Sequence, residues 1–187
     1  MQDFSNIQAL LYDISRNSSE VAYKKLFVLL FPALKRFACC FVKSAHIAEE
    51  IAADVMITLW RNRDELTEIR NIMVYSFVIA KNLSMNFLKR ESGKVIVSLD
   101  DLDIRLETDN STPEQILISD ELKNRLNQNI DALPPRCKLV FKLIRQDGMS
   151  YKEVAEVLGV SVKTVDAQLV IAVRRLAESV KKEFNLI

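Results

Sequence analysis

The chain has 187 residues, and 49% of them are aliphatic, aromatic or sulfur-bearing, which is enough apolar surface for one large folded domain or two small ones. It carries 26 Lys/Arg against 25 Asp/Glu, a net charge of +1, with three glycines and a single histidine. Phosphate-cradling glycine loops, most zinc sites and nucleophile–histidine catalytic pairs are thereby excluded. No catalytic residue, metal or cofactor is expected, and the chain does not read as an enzyme.

In chain order, Ile7, Leu10, Leu11 and Ile14 predict a short amphipathic helix. The apolar stretch from Val21 to Val42 follows. Pro32 is expected to kink or divide it, since proline lacks the backbone donor and clashes with the preceding turn. Ile47, Ile51, Val55 and Leu59 then recur every fourth residue, with Glu49, Glu50 and Asp54 beside them and Trp60 at the end. A further helix is predicted from about Asn71 to Glu91, through Tyr75, Phe77, Ile79, Leu83 and Leu88. Its aromatics, amide and bases could grip unpaired nucleic acid by stacking, hydrogen bonding and phosphate neutralisation, although an aromatic stripe at helical spacing also suits a core.

From Gly93 the pattern changes. Val95-Ile96-Val97 suggests a brief extended piece, and Leu99, Leu102, Ile104 and Leu106 sit among acids without a helical stripe. Thr112-Pro113 reads as a helix cap with proline at the first helical position, and Gln115 completes a capping box. A tether of about 20 residues is unusual inside a compact domain, so residues 93–112 read as an interdomain linker. Charge divides the same way. Residues 1–95 carry 13 bases against 10 acids, residues 96–121 one against eight, and residues 122–187 twelve against seven. The net charge near zero is a cancellation of +3, −7 and +5.

Beyond the linker, one helix carries Ile118, Leu122 and Leu126 and ends before Pro134-Pro135. Another carries Cys137, Val140, Phe141 and Ile144 and ends near Gly148. The expected fold is all-α: two small helical domains, residues 1–92 and 113–187, joined by a flexible acidic linker.

The most specific stretch begins at Met149. Ser150 and Glu153 form a capping box, Tyr151, Val154, Ala155 and Leu158 give an apolar face, and Gly159 supplies a left-handed stop. Ser161 then caps a second helix with Val165, Leu169, Ala172 and Leu176 as its buried stripe. This is a helix-turn-helix, whose second helix normally enters the major groove. Lys163, Thr164, Asp166, Ala167 and Gln168 fall near the start of that helix. Lys163 suits a phosphate, Gln168 an adenine edge and Asp166 cytosine N4. Arg136, Lys138, Arg174 and Arg175 are further candidate phosphate contacts. Val170-Ile171 is an apolar pair where a solvated face is expected.

Met1-Gln2-Asp3-Phe4 lacks a signal-peptide layout. The apolar run from Leu26 to Leu34 stops at Lys35-Arg36, short of the roughly 20 residues that span a membrane. Cys39, Cys40 and Cys137 form no even-numbered disulfide framework and read as buried apolar residues rather than a redox switch. A cytoplasmic location is expected.

A helix-turn-helix by itself also suits a stand-alone regulator with an N-terminal sensing or dimerisation domain. The N-terminal half distinguishes the two readings. The run from Ala48 through Glu49, Glu50, Ile51, Ala52, Ala53, Asp54 and Val55 to Trp60 resembles the core-binding segment, region 2.2, of sigma factors. Ile79-Ala80-Lys81-Asn82 through Lys89-Arg90 resembles their promoter-melting and −10 segment. Leu133-Pro134-Pro135-Arg136-Cys137-Lys138 with the helix-turn-helix resembles region 4. In order and coverage the chain is similar to the extracytoplasmic function (ECF) group of the sigma-70 family.

The resemblance implies roles. Glu49, Glu50, Ala53 and Asp54 would dock on the β′ clamp helices of core RNA polymerase, and region 4 on the β flap. Arg61, Arg63, Asn71, Tyr75, Lys81 and Asn82 would hold the unpaired −10 strand, with Lys89 and Arg90 on upstream phosphates. Arg136, Ser161, Lys163, Thr164, Asp166, Gln168, Arg174 and Arg175 would serve the −35 element. The linker would follow the RNA-exit path, and a membrane-anchored anti-sigma factor would be the regulator.

Overall fold

The computed structural model describes residues 6–42, 44–93 and 127–183. The Val95–Val97 piece, the Thr112-Pro113 cap, the helix through Ile118, Leu122 and Leu126, and all of the linker after Gly93 lie outside those residues. The chain divides into two compact units, Met1–Lys94 and Val95–Ile187. Every regular element among the described residues is helical.

The first unit contains α1 (Ile7–Asn17), α2 (Glu20–Ala38), α3 (Ala45–Arg61), a 3-10 segment (Arg63–Glu68) and α4 (Ile72–Ser92). Ser19, Ser44 and Asn71 cap α2, α3 and α4 by accepting from backbone N–H groups of the first turn, which satisfies donors the helix cannot pair itself. Helix α2 packs against α1, α3 and α4, while α1 covers the 3-10 segment. Phe37 is the hub of the core: its ring lies 4.8 Å from that of Phe77 on α4 and 5.1 Å from that of Phe41.

Of the two outcomes expected at Pro32, a kink or a division, the structure rules out division. The helix runs through it from Glu20 to Ala38. The carbonyl that loses its partner belongs to Val28, four residues back, and Val28 and Pro32 are both exposed, so water can take the place of the missing N–H.

The second unit ends a helical turn at 127–131 and continues with α5 (Pro135–Arg145), α6 (Tyr151–Leu158) and α7 (Val162–Glu183). Leu133, Cys137 and Ala172 form a buried cluster, with Ile130, Phe141 and Leu176 packed against it. The capping box at the start of α6 is complete: Ser150 Oγ accepts from Glu153 N and Glu153 Oε2 from Ser150 N. Gly159 ends the helix at φ 70°. Tyr151 is exposed, and Val157 joins Val154, Ala155 and Leu158 on the buried face. A first-turn residue projects beyond the end of the neighbouring helices as easily as it packs on them, and periodicity does not distinguish the two.

Cys39, Cys40 and Cys137 are free thiols, and all three are buried. Burial also pushes the Cys137 thiol above its usual pKa. Because the thiolate is the reactive form, all three are expected to resist alkylation in the native protein and to label together on unfolding. Prompt labelling of Cys39 or Cys40 in the native state, followed by mass spectrometry, would speak for a redox role instead.

Candidate nucleic-acid interface

On α3, Glu50, Asp54, Ile57 and Arg61 follow one another at helical spacing, and all four are exposed. Ala53 beside them is half-buried. Glu50 Oε1 lies 3.3 Å from His46 Nε2. Glu49 is turned toward α2, where Lys35 Nζ donates to its Oε2 at 2.7 Å and holds its carboxyl below the usual pKa. The acidic ridge is therefore Glu50 and Asp54, with Glu49 tying two helices together.

On α4, Ile72, Val74, Ser76, Phe77, Ala80 and Ser84 are buried. Tyr75, Asn82 and Lys89 are spaced seven apart, so they lie within about 40° of one another around the helix. They occupy the side opposite Phe77 and Ser84. Asn82, Asn86, Lys89 and Arg90 are exposed and Tyr75 is half-buried. Lys81 lies about 120° around the helix from Tyr75, half-buried, and desolvation lowers its ammonium pKa. Asn71 spends its side-chain oxygen on Met73 N and Val74 N as the cap of α4. Arg61 is exposed. Arg63 is not: its Nε donates to Ser18 Oγ at 3.0 Å and its Nη1 to the Trp60 carbonyl at 3.2 Å.

In the second unit, α6, the turn at Gly159 and α7 form the helix-turn-helix. Ser161 Oγ accepts from Thr164 N at 3.0 Å and lies 2.8 Å from Thr164 Oγ1, so both hydroxyls serve the start of α7. Lys163, Asp166, Ala167, Val170 and Arg174 share its outward face, and all are exposed. Val170 is 59% and Ile171 40% exposed, so the apolar pair does lie on the solvated surface of the helix. Arg174 Nε is shared with Glu178 Oε1 at 2.9 Å, while Arg175 is exposed.

Two of the expected contacts, Gln168 and Lys138, are engaged within the fold, and a third, Arg136, is only partly exposed. Gln168 is half-buried, and its Oε1 accepts from Cys137 Sγ on α5 at 2.9 Å. Arg136 is half-buried. Lys138 is buried, with its ammonium 3.4 Å from Asp131 Oδ1. Lys181, which sequence reading passed over, is exposed and stands five turns along the helix from Lys163, on the same line. The eighteen-residue spacing, a whole number of turns, is the signal that finds it.

Residues 26–93 match the family model for Sigma-70 region 2, and residues 123–176 that for Sigma-70, region 4. The ECF RNA polymerase sigma factor SigW of Bacillus subtilis (strain 168) is 25% identical over 160 residues, covering 81% of this chain and 83% of its own. Two solved structures share the fold. One is CnrH in complex with the cytosolic domain of CnrY: 20% identity, TM-score 0.58, covering 94% of this chain and 97% of its own. The other is the sigma factor RpoE in complex with the anti-sigma factor NepR, from Bartonella quintana: 23% identity, TM-score 0.56, covering 85% and 96%. With region 2 on the first helical unit and region 4 on the helix-turn-helix unit, the chain belongs to the sigma-70 family, as an RNA polymerase sigma factor of the ECF type.

Proposed function

We propose that the two units divide promoter recognition, with residues 1–92 serving core binding and the −10 element and residues 113–187 the −35 element. The observation that carries this reading is the two-sidedness of α4. One side is locked into the core by Phe77, and the other presents Tyr75, Asn82 and Lys89 in line. A ring, an amide and an ammonium in line suit an unpaired strand, which offers base faces, base edges and phosphates. Glu50 and Asp54 then dock on the β′ clamp helices, and Lys89 and Arg90 neutralise duplex phosphates upstream.

The outward face of α7 reads the −35 major groove. Its N-terminus and Lys163 favour phosphate, and Asp166 is the exposed acceptor for a cytosine amine. Arg174, Arg175 and the β flap hold the domain in place. Gln168 reads a base only if its bond to Cys137 opens, so Asp166 carries more of the specificity. The linker's excess of acids suits a path built for an anionic transcript, since both would be drawn to the same basic lining.

The protein acts in the cytoplasm, where the polymerase is. No helix among the described residues is long and apolar enough to cross a membrane. Its regulator is an anti-sigma factor, the kind of protein with which the Bartonella relative is complexed, anchored in the membrane. The polymerase supplies the chemistry, as sigma factors are initiation factors rather than enzymes.

Reconstituted initiation with core polymerase on a promoter library tests the reading. The wild-type chain is expected to bind core stoichiometrically and select one −35/−10 pair. Asp166→Ala is expected to relax one −35 position, by about 1–3 kcal/mol of discrimination. Duplex binding that needs no polymerase, with no initiation, would instead mark a stand-alone regulator.

A further inference from the structure

Ser18 is the one non-glycine residue among those described with a left-handed backbone, at φ 48°. It ends α1 immediately before the Ser19 cap of α2. Such a backbone persists only where its surroundings over-determine it, and here they do. Ser18 Oγ accepts from Arg63 Nε at 3.0 Å. The Arg63 guanidinium carbon lies 5.2 Å from the centre of the Trp60 ring, within the range of a cation–π contact. The same indole meets the Tyr23 ring at 4.7 Å, and Tyr23 Oη donates to the Met56 carbonyl at 2.7 Å. Nearby, Ser15 Oγ donates to the Asp64 carbonyl at 2.9 Å.

These contacts converge on one short piece of chain. The 3-10 segment Arg63–Glu68 is held from beneath by Leu66, which is fully buried, and from its start by Arg63 and Asp64. It leads directly to Asn71, whose side-chain oxygen starts α4. A 3-10 segment has poorer hydrogen-bond geometry than an α-helix, so its path depends on what clamps it.

We infer that Ser18 and Arg63 are positioning residues for promoter opening. The turn between α1 and α2 clamps Arg63 over Trp60, and the clamp sets the path of residues 61–71 into the face of α4 that takes the unpaired strand. Arg63 thus acts through the chain it holds and not by touching DNA. The inference rests on the proposed role of the α4 face.

Four variants of the full chain, assayed with core polymerase, test it. Ser18→Gly keeps the left-handed backbone and removes Oγ, and Ser18→Asn restores a side-chain acceptor on a residue that tolerates that backbone. Arg63→Gln removes the cation, and the fourth variant combines Ser18→Gly with Arg63→Gln. Trp60 is the only tryptophan, so its emission reports the clamp directly. Ser18→Gly and Arg63→Gln are each expected to change Trp60 emission and to slow open-complex formation about threefold to tenfold, with core affinity and −35 duplex binding unchanged. Ser18→Asn is expected to open at the wild-type rate. The double variant is expected to be no slower than Arg63→Gln, since both changes remove one contact.

Unchanged Trp60 emission, wild-type opening despite changed emission, or multiplied defects in the double variant would each overturn the inference. Asn82→Ala in the same assay separates the two levels. If it slows opening while the clamp variants do not, only the positioning role fails. If it too opens normally, the role of the α4 face itself fails.

Discussion

Phe77→Ala is expected to destabilise the first unit by about 3–5 kcal/mol, the usual cost of emptying a buried phenylalanine site. Phe77 is fully buried on α4, and its ring lies 4.8 Å from Phe37, which is fully buried on α2. The substitution removes the transfer free energy of the ring, leaves a cavity between two helices and loses an aromatic pair. Small domains have about 5–15 kcal/mol in total, so a large share of the margin goes. Thermal unfolding followed by Trp60 emission checks this, because the only tryptophan lies in that unit. A midpoint lowered by well over ten degrees is expected, at about 4–8 °C per kcal/mol for a unit of this size. Phe77→Leu keeps much of the volume and is expected to cost far less. A small loss for Phe77→Ala would mean that α4 is not seated on α2 through this ring.

The functional counterpart lies on the other side of the same helix. Asn82→Ala is expected to slow promoter opening about fivefold to thirtyfold, the kinetic equivalent of losing about 1–2 kcal/mol of amide hydrogen bonding. Closed-complex formation is expected to stay near wild type. Asn82 is exposed, and no hydrogen bond of its side chain supports the fold among the described residues, so its removal is expected to leave stability within about 0.5 kcal/mol. Permanganate reactivity of unpaired thymines measures opening, and gel-shift binding on duplex promoter with holoenzyme measures the closed complex. Equal loss in both would count against a role in melting.

The helix-turn-helix was legible because its signals are local. Ser150 with Glu153, Gly159 and Ser161 each act within one turn of their own position, and each sits in the expected conformation. The same holds for Asn71 at the head of α4. The 3-10 segment was not legible. Only Leu66 is buried in it, and one apolar residue has no period. That Pro32 leaves α2 undivided was not legible for a related reason: a proline costs a helix less where water can satisfy the carbonyl it orphans, and solvent exposure is a property of the fold.

Polar residues show the division most clearly. The residue type at Arg63, Gln168 and Lys138 suits nucleic acid, yet the fold spends Arg63 on Ser18 and Trp60, Gln168 on Cys137 and Lys138 on Asp131. The identical chemistry at Asn82, Lys89, Lys163 and Asp166 is left facing water.

By itself, the sequence determined that the two described units are built of helices, that its two basic segments flank an acidic one, and where the helix-turn-helix begins and turns. Those features follow from period, local capping and composition. Only the tertiary structure decided which donors and acceptors remain available for DNA and which hold the frame. Ser18 and Arg63 stand 45 residues apart in the chain, and a bond across that distance leaves no periodic trace, because it depends on how helices pack and not on how any one of them is spaced.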